Sequence, residues 1–292
     1  MKHALLITAY KDFKQLAQLV NEFDENFNIY IHIDKKSKVN QKTIQCILKN
    51  ANVAYIETKY TVNWGGINHL KSYLLLSEEA LKNDQNEYFH LITGQDYPLK
   101  NNEYFNELLF NSTDEKISYL DYSKMPALKL WTTDGGMGRL EYYNFYDLFN
   151  AKSSLGKKSL YYIKKLQLKL KFKRAINIKQ QLYGGSTYWT LPRNTLQFVI
   201  NFTEQNPVFF RRFKYTFCAE EIYFQTVIMN SEHAKNVIND NLRFIDWENA
   251  KDGGPAFLDE SDYERIVSSN KLFARKIDSN KLKQMLATHK KQ

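Results

Sequence analysis

Two adjacent carboxylates, Glu220 and Glu221, lie within the stretch Tyr215-Thr216-Phe217-Cys218-Ala219-Glu220-Glu221-Ile222-Tyr223-Phe224-Gln225-Thr226-Val227-Ile228. Ala219, Ile222, Tyr223 and Thr226 recur at helical spacing, which predicts a helix with one mostly apolar face. The pair then falls in the first turn, where the positive end of the helix dipole favours an ionised carboxylate. A carboxylate kept ionised beside a site can act as a general base. First-turn glutamates are favoured at any helix start, so the reading needs support from the rest of the chain.

Two further carboxylates follow apolar runs that read as strands. Asp34 lies in His32-Ile33-Asp34-Lys35-Lys36-Ser37, and Asp96 sits in Gly94-Gln95-Asp96-Tyr97-Pro98. None of the fifteen aspartates lies two positions from another. Metal-dependent nucleotide-sugar transferases hold Mg²⁺ or Mn²⁺ with such a pair, because a hard ion wants oxygen ligands beside the diphosphate. A lone Asp96 suits a sugar hydroxyl better than a metal, although Gly, Asp and Pro also make a plain turn. Without a metal, cationic side chains must stabilise a departing diphosphate. Arg275 and Lys276 are adjacent candidates, and Arg243 is a weaker third. Neighbouring side chains diverge on a strand, so one of the pair is expected to reach further than the other. For most Lys and Arg a solvated surface charge is the competing reading.

Other chemistries are missing from the sequence. No GxGxxG follows the first strand and no GxxxxGK[ST] occurs, which removes the dinucleotide and P-loop readings. No GxSxG elbow is present. The six His and two Cys lack zinc spacings. Cys46 and Cys218 make no disulfide framework and suggest a reducing compartment.

The surrounding elements are those of an α/β chain. Ala4 to Thr8 is a short apolar run suited to a buried parallel strand. A helical pattern over 11–23, a strand at 28–33, a helix over 40–50 and a strand at 53–56 follow. This order predicts a doubly wound sheet whose ligands sit beyond the C-terminal strand ends. A helix over 68–82, strands at 88–93 and 117–120, a strand before Pro192, a helix over 193–203, a strand at 242–247 and a polar C-terminal helix complete the pattern. Trp131 to Arg139 reads as a loop.

The 292 residues hold 43% hydrophobic side chains with only 5 Pro and 11 Gly, enough for a sizeable core without long linkers. One domain is expected, with a nucleotide-binding half over about 1–120 and an acceptor-binding, catalytic half over about 121–292. The 20 Tyr and 19 Phe suit a core, and also a site that stacks flat sugar or base faces. The net charge of +9 points to an acidic partner. Residues 157–179 carry nine of the Lys and Arg. Their apolar positions fit a strand or a helix equally, and a solvated face or an anionic membrane surface would suit them. No apolar run approaches the roughly 20 residues of a spanning helix. A cytoplasmic chain is expected, at most peripheral on the inner face of a bacterial membrane.

Six segments in order carry a resemblance: His32-Ile33-Asp34-Lys35-Lys36-Ser37, Trp64-Gly65-Gly66, Gly94-Gln95-Asp96-Tyr97-Pro98-Leu99-Lys100, Gly185-Ser186-Thr187-Tyr188-Trp189, Ala219-Glu220-Glu221-Ile222-Tyr223-Phe224-Gln225-Thr226 and Leu272-Phe273-Ala274-Arg275-Lys276-Ile277-Asp278. Over about residues 4–278 the chain resembles the core-2/I-branching β-1,6-N-acetylglucosaminyltransferase and peptide O-xylosyltransferase family, glycosyltransferase family 14. The resemblance implies a GT-A fold with a Rossmann-like, mainly parallel sheet, an inverting mechanism and no metal or other cofactor. It places the general base on Glu221, the diphosphate contacts on Arg275 and Lys276, and a uracil or ribose contact on Asp34. Asp96 and Trp64 would line the donor or acceptor pocket, and Gly185 and Ser186 the acceptor cleft.

Animal members of that family carry an anchor, a stem and disulfides; none is expected here, and a bacterial cytosolic enzyme is the expectation. The expected partners are a UDP-sugar, with UDP-GlcNAc first and UDP-xylose or UDP-glucose next, and a glycan or lipid-linked glycan acceptor. The competing classes are a nucleic-acid binder using 157–179 and a non-catalytic sugar-binding protein.

Overall fold

The structure is a computed structural model that describes residues 1–110, 116–250 and 254–290. The first half alternates as expected. β1 (Lys2–Ala9), α1 (Phe13–Val20), β2 (Phe27–Ile33), α2 (Gln41–Leu48), β3 (Val53–Glu57), α3 (Ile67–Leu81) and β4 (Asn86–Thr93) follow in order. β1 is buried from His3 to Ala9, as its unbroken apolar run requires. Asp12 starts α1 by accepting from the Gln15 N–H, and Asn40 starts α2 by accepting from Thr43 N–H.

Next come β5 (Tyr97–Pro98), α4 (Asn102–Phe110), β6 (Ser118–Leu120), β7 (Ser123–Lys124), α5 (Gly138–Glu141), α6 (Ser154–Lys169) and β8 (Tyr183–Gly184). The last part holds β9 (Trp189–Pro192), α7 (Arg193–Gln205), α8 (Pro207–Arg212), a 3₁₀ turn at Ala219–Glu221, α9 (Tyr223–Met229), β10 (Val237–Ile238), β11 (Arg243–Ile245), α10 (Tyr263–Val267), β12 (Phe273–Arg275) and α11 (Asn280–His289).

The expected α/β architecture, a mainly parallel sheet flanked by helices, is present. Seven strands run in the order β10-β6-β9-β4-β1-β2-β3, and only β9 runs antiparallel to its neighbours. Leu6, Tyr30, Phe89 and Leu91 face α3, α7 and α9 in one apolar cluster. Leu5, Ile7, Ile29, Ile31 and Ile92 face the other way, against α1 and α4. A smaller sheet, β11-β12-β5, covers a third cluster with α10 and α11.

Register aligns the functional ends. Thr8 pairs with both His32 and Thr93, so Lys11, Asp34 and Asp96 all emerge past the same edge of the sheet. Brief pairing of Tyr97 with Ala274 then brings the residues after β12 to that edge.

One local expectation changes, and one open reading is decided. The stretch around Glu220 and Glu221 is not one helix. Cys218 adopts φ 49°, the glutamates occupy a 3₁₀ turn, and Ile222 at φ −128° separates that turn from α9. The 157–179 segment resolves as helix to Lys169, started by Ser153, whose hydroxyl accepts from Gly156 N–H.

Candidate functional site

The 3₁₀ turn splits the two glutamates. Glu220 turns inward, 3% exposed, with Oε1 3.0 Å from His69 Nδ1; His69 Nε2 lies 2.8 Å from the Tyr73 hydroxyl. Glu221 turns outward. Its Oε2 accepts from Arg139 at 2.5 Å, and 27% of its side chain remains exposed. Burial and the Glu220 charge push the Glu221 carboxyl up to about 7, against the pull of Arg139. That corrects the helix-dipole expectation: the opposing positive charge is a guanidinium, and the carboxyl titrates near neutrality.

Arg139 was not singled out from the sequence. It is the second residue of α5, and its guanidinium lies 4.0 Å above the Trp131 ring and 5.2 Å from that of Phe217. Trp131, Tyr143, Tyr146, Phe217 and Arg139 line a cleft of about 520 Å³ whose far wall is Leu160, Ile163 and Lys164 of α6. Glu221 lies behind Arg139, the cleft residue with which it is paired. An aromatic cleft with a carboxylate of near-neutral pKa one side chain beyond its lining suits a polyhydroxylated ligand, since sugar rings stack on such faces.

Gly185, a candidate from the sequence, and its neighbour Gly184 both sit in close quarters. Gly184 faces Trp131, and an added Cβ would come within 2.3 Å of the indole. At Gly185 it would meet Asp121 O at 2.0 Å, and the Gly185 N–H donates to Glu221 O at 2.9 Å. Ser186 O accepts from Gln225 at 2.7 Å. Gly185 and Ser186 thus brace the 3₁₀ turn from behind. Trp64 is half exposed and packs edge-on against Tyr146 and Phe217, at 6.0 and 5.0 Å. The Trp64 loop is held by Asp34, whose Oδ1 accepts from Val62 N–H at 3.0 Å, and by Lys36, whose ammonium reaches Val62 O and Asn63 Oδ1. Among the described residues, Asp34 Oδ2 meets only the Lys36 ammonium, at 3.5 Å.

A second group of charges gathers beyond β1, β4 and β12. Arg275 stands 4.4 Å above the Tyr188 ring, with NH1 on Asp96 Oδ1 at 3.1 Å and Thr93 Oγ1 at 3.2 Å. Asp96 is 1% exposed and also accepts from the Thr93 N–H at 2.5 Å. Asp96 therefore holds Arg275 and has no open face for a sugar, a correction to its expected place in the pocket. Lys276 sits beside it. Burial lowers its pKa, and the charges of Arg275, Lys11 and Lys152 lower it further. Lys11 and Lys276 both flank the Phe257 ring, and Lys11 and Lys152 both flank Tyr10. None of these three lysines has an ion-pair partner among the described residues. Such a cluster of like charges is costly until an anion enters it.

Tyr188 connects the two regions. Burial raises its hydroxyl pKa, and it feels Arg275, Asp96 and Glu221 together. Arg243 belongs to neither region. It is buried beneath the sheet, donating to Thr190 Oγ1, Leu91 O, Trp189 O and Asn241 O, and Thr190 continues to His90 and His3. With both terminal nitrogens of its buried guanidinium occupied by internal acceptors, it is closed to a phosphate, a correction to its expected role. Among the described residues no three His, Cys, Asp or Glu side chains gather where they could hold a metal ion.

Lys11, Lys152, Trp131 and Arg139 escaped the sequence reading. The density of Gly135, Gly136 and Gly138 beside Arg139 was the available signal: Gly136 at φ 85° lies so close to Trp131 that a Cβ would be 2.0 Å from its ring.

A family model described as "Core-2/I-Branching enzyme" matches residues 4–269. Mouse xylosyltransferase 1 is 24% identical over 251 residues, covering 82% of this chain and 23% of that protein. Rat xylosyltransferase 2 is 24% identical over 299 residues, covering 94% of this chain and 32% of that protein. The chain thus spans about a quarter to a third of the length of these relatives. Among solved structures, apo mouse xyloside xylosyltransferase 1 aligns over 94% of this chain and 96% of its own at 9% identity, with a TM-score of 0.40.

Proposed function

The chain belongs to the Core-2/I-branching enzyme family, and we propose that it is an inverting glycosyltransferase that moves a sugar from a UDP-sugar to a hydroxyl of a glycan acceptor without a metal ion. The acceptor sugar stacks in the aromatic cleft with its hydroxyl at Glu221. The Glu221 carboxylate takes the hydroxyl proton as the oxygen attacks the anomeric carbon. The bond from that carbon to the β-phosphate oxygen breaks, and its electron pair leaves on UDP. Attack opposite the leaving group turns an α-linked donor into a β-linked product. Arg275, Lys276, Lys11 and Lys152 neutralise the charge that builds on the diphosphate. Asp34 and the Trp64 loop bound the nucleoside side, and Gly185 and Ser186 keep the base in place.

The observation that carries this reading is the division of charge. One carboxylate of near-neutral pKa is paired with Arg139 of the cleft, and a separate group of cations gathers around the buried Asp96, with Tyr188 feeling the charges of both regions. UDP-GlcNAc remains the first donor to try, and the relatives' names put UDP-xylose second, ahead of UDP-glucose. The acceptor class extends to lipid-linked glycans.

The deciding experiment is UDP release across these donors, with and without chelator. Glu221→Gln is expected to lose roughly 10²–10⁴-fold in kcat while binding UDP as the parent does. Full turnover in that variant removes Glu221 from the role. Abolition by chelator, restored by a divalent ion, overturns the metal-free step.

A further inference from the structure

Helix α6 has two working faces. The inner one, with Leu160, Ile163 and Lys164, walls the cleft. The outer one is open. Leu155, Tyr162 and Leu166 are 76%, 63% and 56% exposed. They recur at seven- and four-residue steps and so form one apolar stripe along the helix. Lys158, Lys165 and Lys169 recur at the same steps and form a parallel stripe beside it, also exposed. Past the helix end, Leu170, Lys171 and Phe172 continue both characters at the surface. The sequence contains no Asp or Glu from Leu148 to Thr203.

This combination selects the partner. Exposed leucines and tyrosines at these positions gain nothing from water, and lysines without local acids attract an anionic surface. An apolar stripe edged by lysines is what a helix lying in a lipid interface presents. Nucleic acid would use the lysines and leave Leu155 and Leu166 unused. Among the described residues no helix is long and apolar enough to cross a membrane, so the contact is made along a face of the protein.

We propose that the outer face of α6 docks on an anionic lipid bilayer, with Leu155, Tyr162 and Leu166 in the headgroup–acyl boundary and Lys158, Lys165 and Lys169 among the phosphates. Because another face of the same helix walls the cleft, docking holds the cleft one helix diameter, roughly 10–12 Å, from the membrane surface. That consequence, access to an acceptor carried on lipid, rests on the transferase reading; the docking itself does not.

The test is flotation of the full chain with vesicles of phosphatidylcholine alone and of an equal mixture with phosphatidylglycerol. Binding to the mixed vesicles and not to the neutral ones is expected. Replacing Lys158, Lys165 and Lys169 together by Gln should weaken it roughly 100-fold, from the typical attraction per lysine near an anionic surface. Replacing Leu155, Tyr162 and Leu166 together by Asn should weaken it at least about tenfold. All six positions are exposed, and unchanged melting curves would show the variants folded. The proposal is overturned if the parent does not float with the mixed vesicles, or if either triple variant binds as the parent does. An apolar variant with full binding would leave a purely electrostatic polyanion site. UDP release to a water-soluble acceptor, run in parallel, reads the transferase proposal separately.

Discussion

Arg139 and Glu221 meet at 2.5 Å, and yet the carboxyl still titrates near 7. Burial and the neighbouring Glu220 charge outweigh a direct ion pair, so the pair holds its carboxylate close to the point of protonation. The sign is fixed by the direction of the shift. Raised from the ordinary 4.5 of a glutamate, Glu221 becomes a base only as pH rises through about 7. The rate per enzyme should therefore climb through that pH and level off above it. In Arg139→Met the opposing charge is gone, so the climb should move to higher pH, while Arg139→Lys should restore part of the shift. A profile unmoved by Arg139→Met would show that the guanidinium does not govern this carboxyl.

The same shift bears on stability. A carboxyl whose pKa is higher folded than unfolded favours the native state at low pH and loses that contribution as pH rises from about 4.5 to about 7. Relative to Glu221→Gln, which cannot ionise, the parent should thus melt progressively lower across that window. Comparing the two melting temperatures at several pH values isolates the group. A difference that is flat with pH, or that runs in the opposite direction, contradicts the raised pKa.

Removing the lysines separates phosphate binding from nucleoside binding. Lys276 is partly buried and crowded by other cations, and a charged hydrogen bond there is worth about 1.5–3 kcal/mol. Lys11 and Lys152 are exposed, and each should contribute about 0.2–1 kcal/mol. Lys276→Met should accordingly weaken UDP binding most, with smaller losses in Lys11→Met and Lys152→Met. Uridine binding should be untouched in all three. Calorimetry with UDP and uridine at two salt concentrations checks this, and equal losses for both ligands would place the lysines away from the phosphates.

Much of this was legible in the sequence, for a clear reason. Parallel strands are buried on both faces, so β1, β2 and β4 read as unbroken apolar runs. The ends of those runs already marked Asp34 and Asp96. What stayed hidden depends on distant partners. Tyr97-Pro98 reads as a turn and becomes a strand only by pairing with Phe273 and Ala274. Lys11 and Lys152 look like surface charges until the fold brings them to Lys276 across Tyr10 and Phe257. Arg243 shows the reverse error, because a side chain aimed into the sheet carries the same letter as one aimed at a ligand. In 157–179 the alternation favours a strand and the spacing a helix; the Ser153 cap and the packing of Ile163 on the cleft favour the helix.

Two glycines should resist the smallest substitution. Gly184→Ala would drive a methyl into the Trp131 ring at 2.3 Å, and the indole must then move out of its place in the cleft. The expected effect is on acceptor KM, with donor binding kept. Gly65→Ala combines φ 83° with a 2.5 Å approach to Phe217, and strain of that kind typically costs about 1–3 kcal/mol. Its effect should appear in the melting temperature as well. Wild-type acceptor kinetics in Gly184→Ala would show that Trp131 does not shape the acceptor site.

Asp147 links the two regions of the site through a helix end. Gly66 precedes α3 and has no side chain to cap it, and any Cβ there would strike the Asp147 carboxylate at 2.4 Å. That carboxylate accepts instead from the Ile67 and Asn68 N–H groups, at 3.1 and 3.3 Å. The backbone carbonyls of Tyr146 and Asp147 meanwhile accept from Asn63. The chain leading to Lys152 is thus tied to the Trp64 loop at both levels. Asp147→Ala removes a cap, which costs about 0.5–2 kcal/mol, and frees the Ile67 and Asn68 amides. Those two amides should exchange faster with solvent, and the KM for donor should rise as Lys152 and Trp64 lose their common anchor. Asp147→Asn keeps one acceptor and should fall between the parent and Asp147→Ala on each measure. Loss of stability with unchanged exchange at Ile67 and Asn68 would place the role of Asp147 elsewhere than at this helix start.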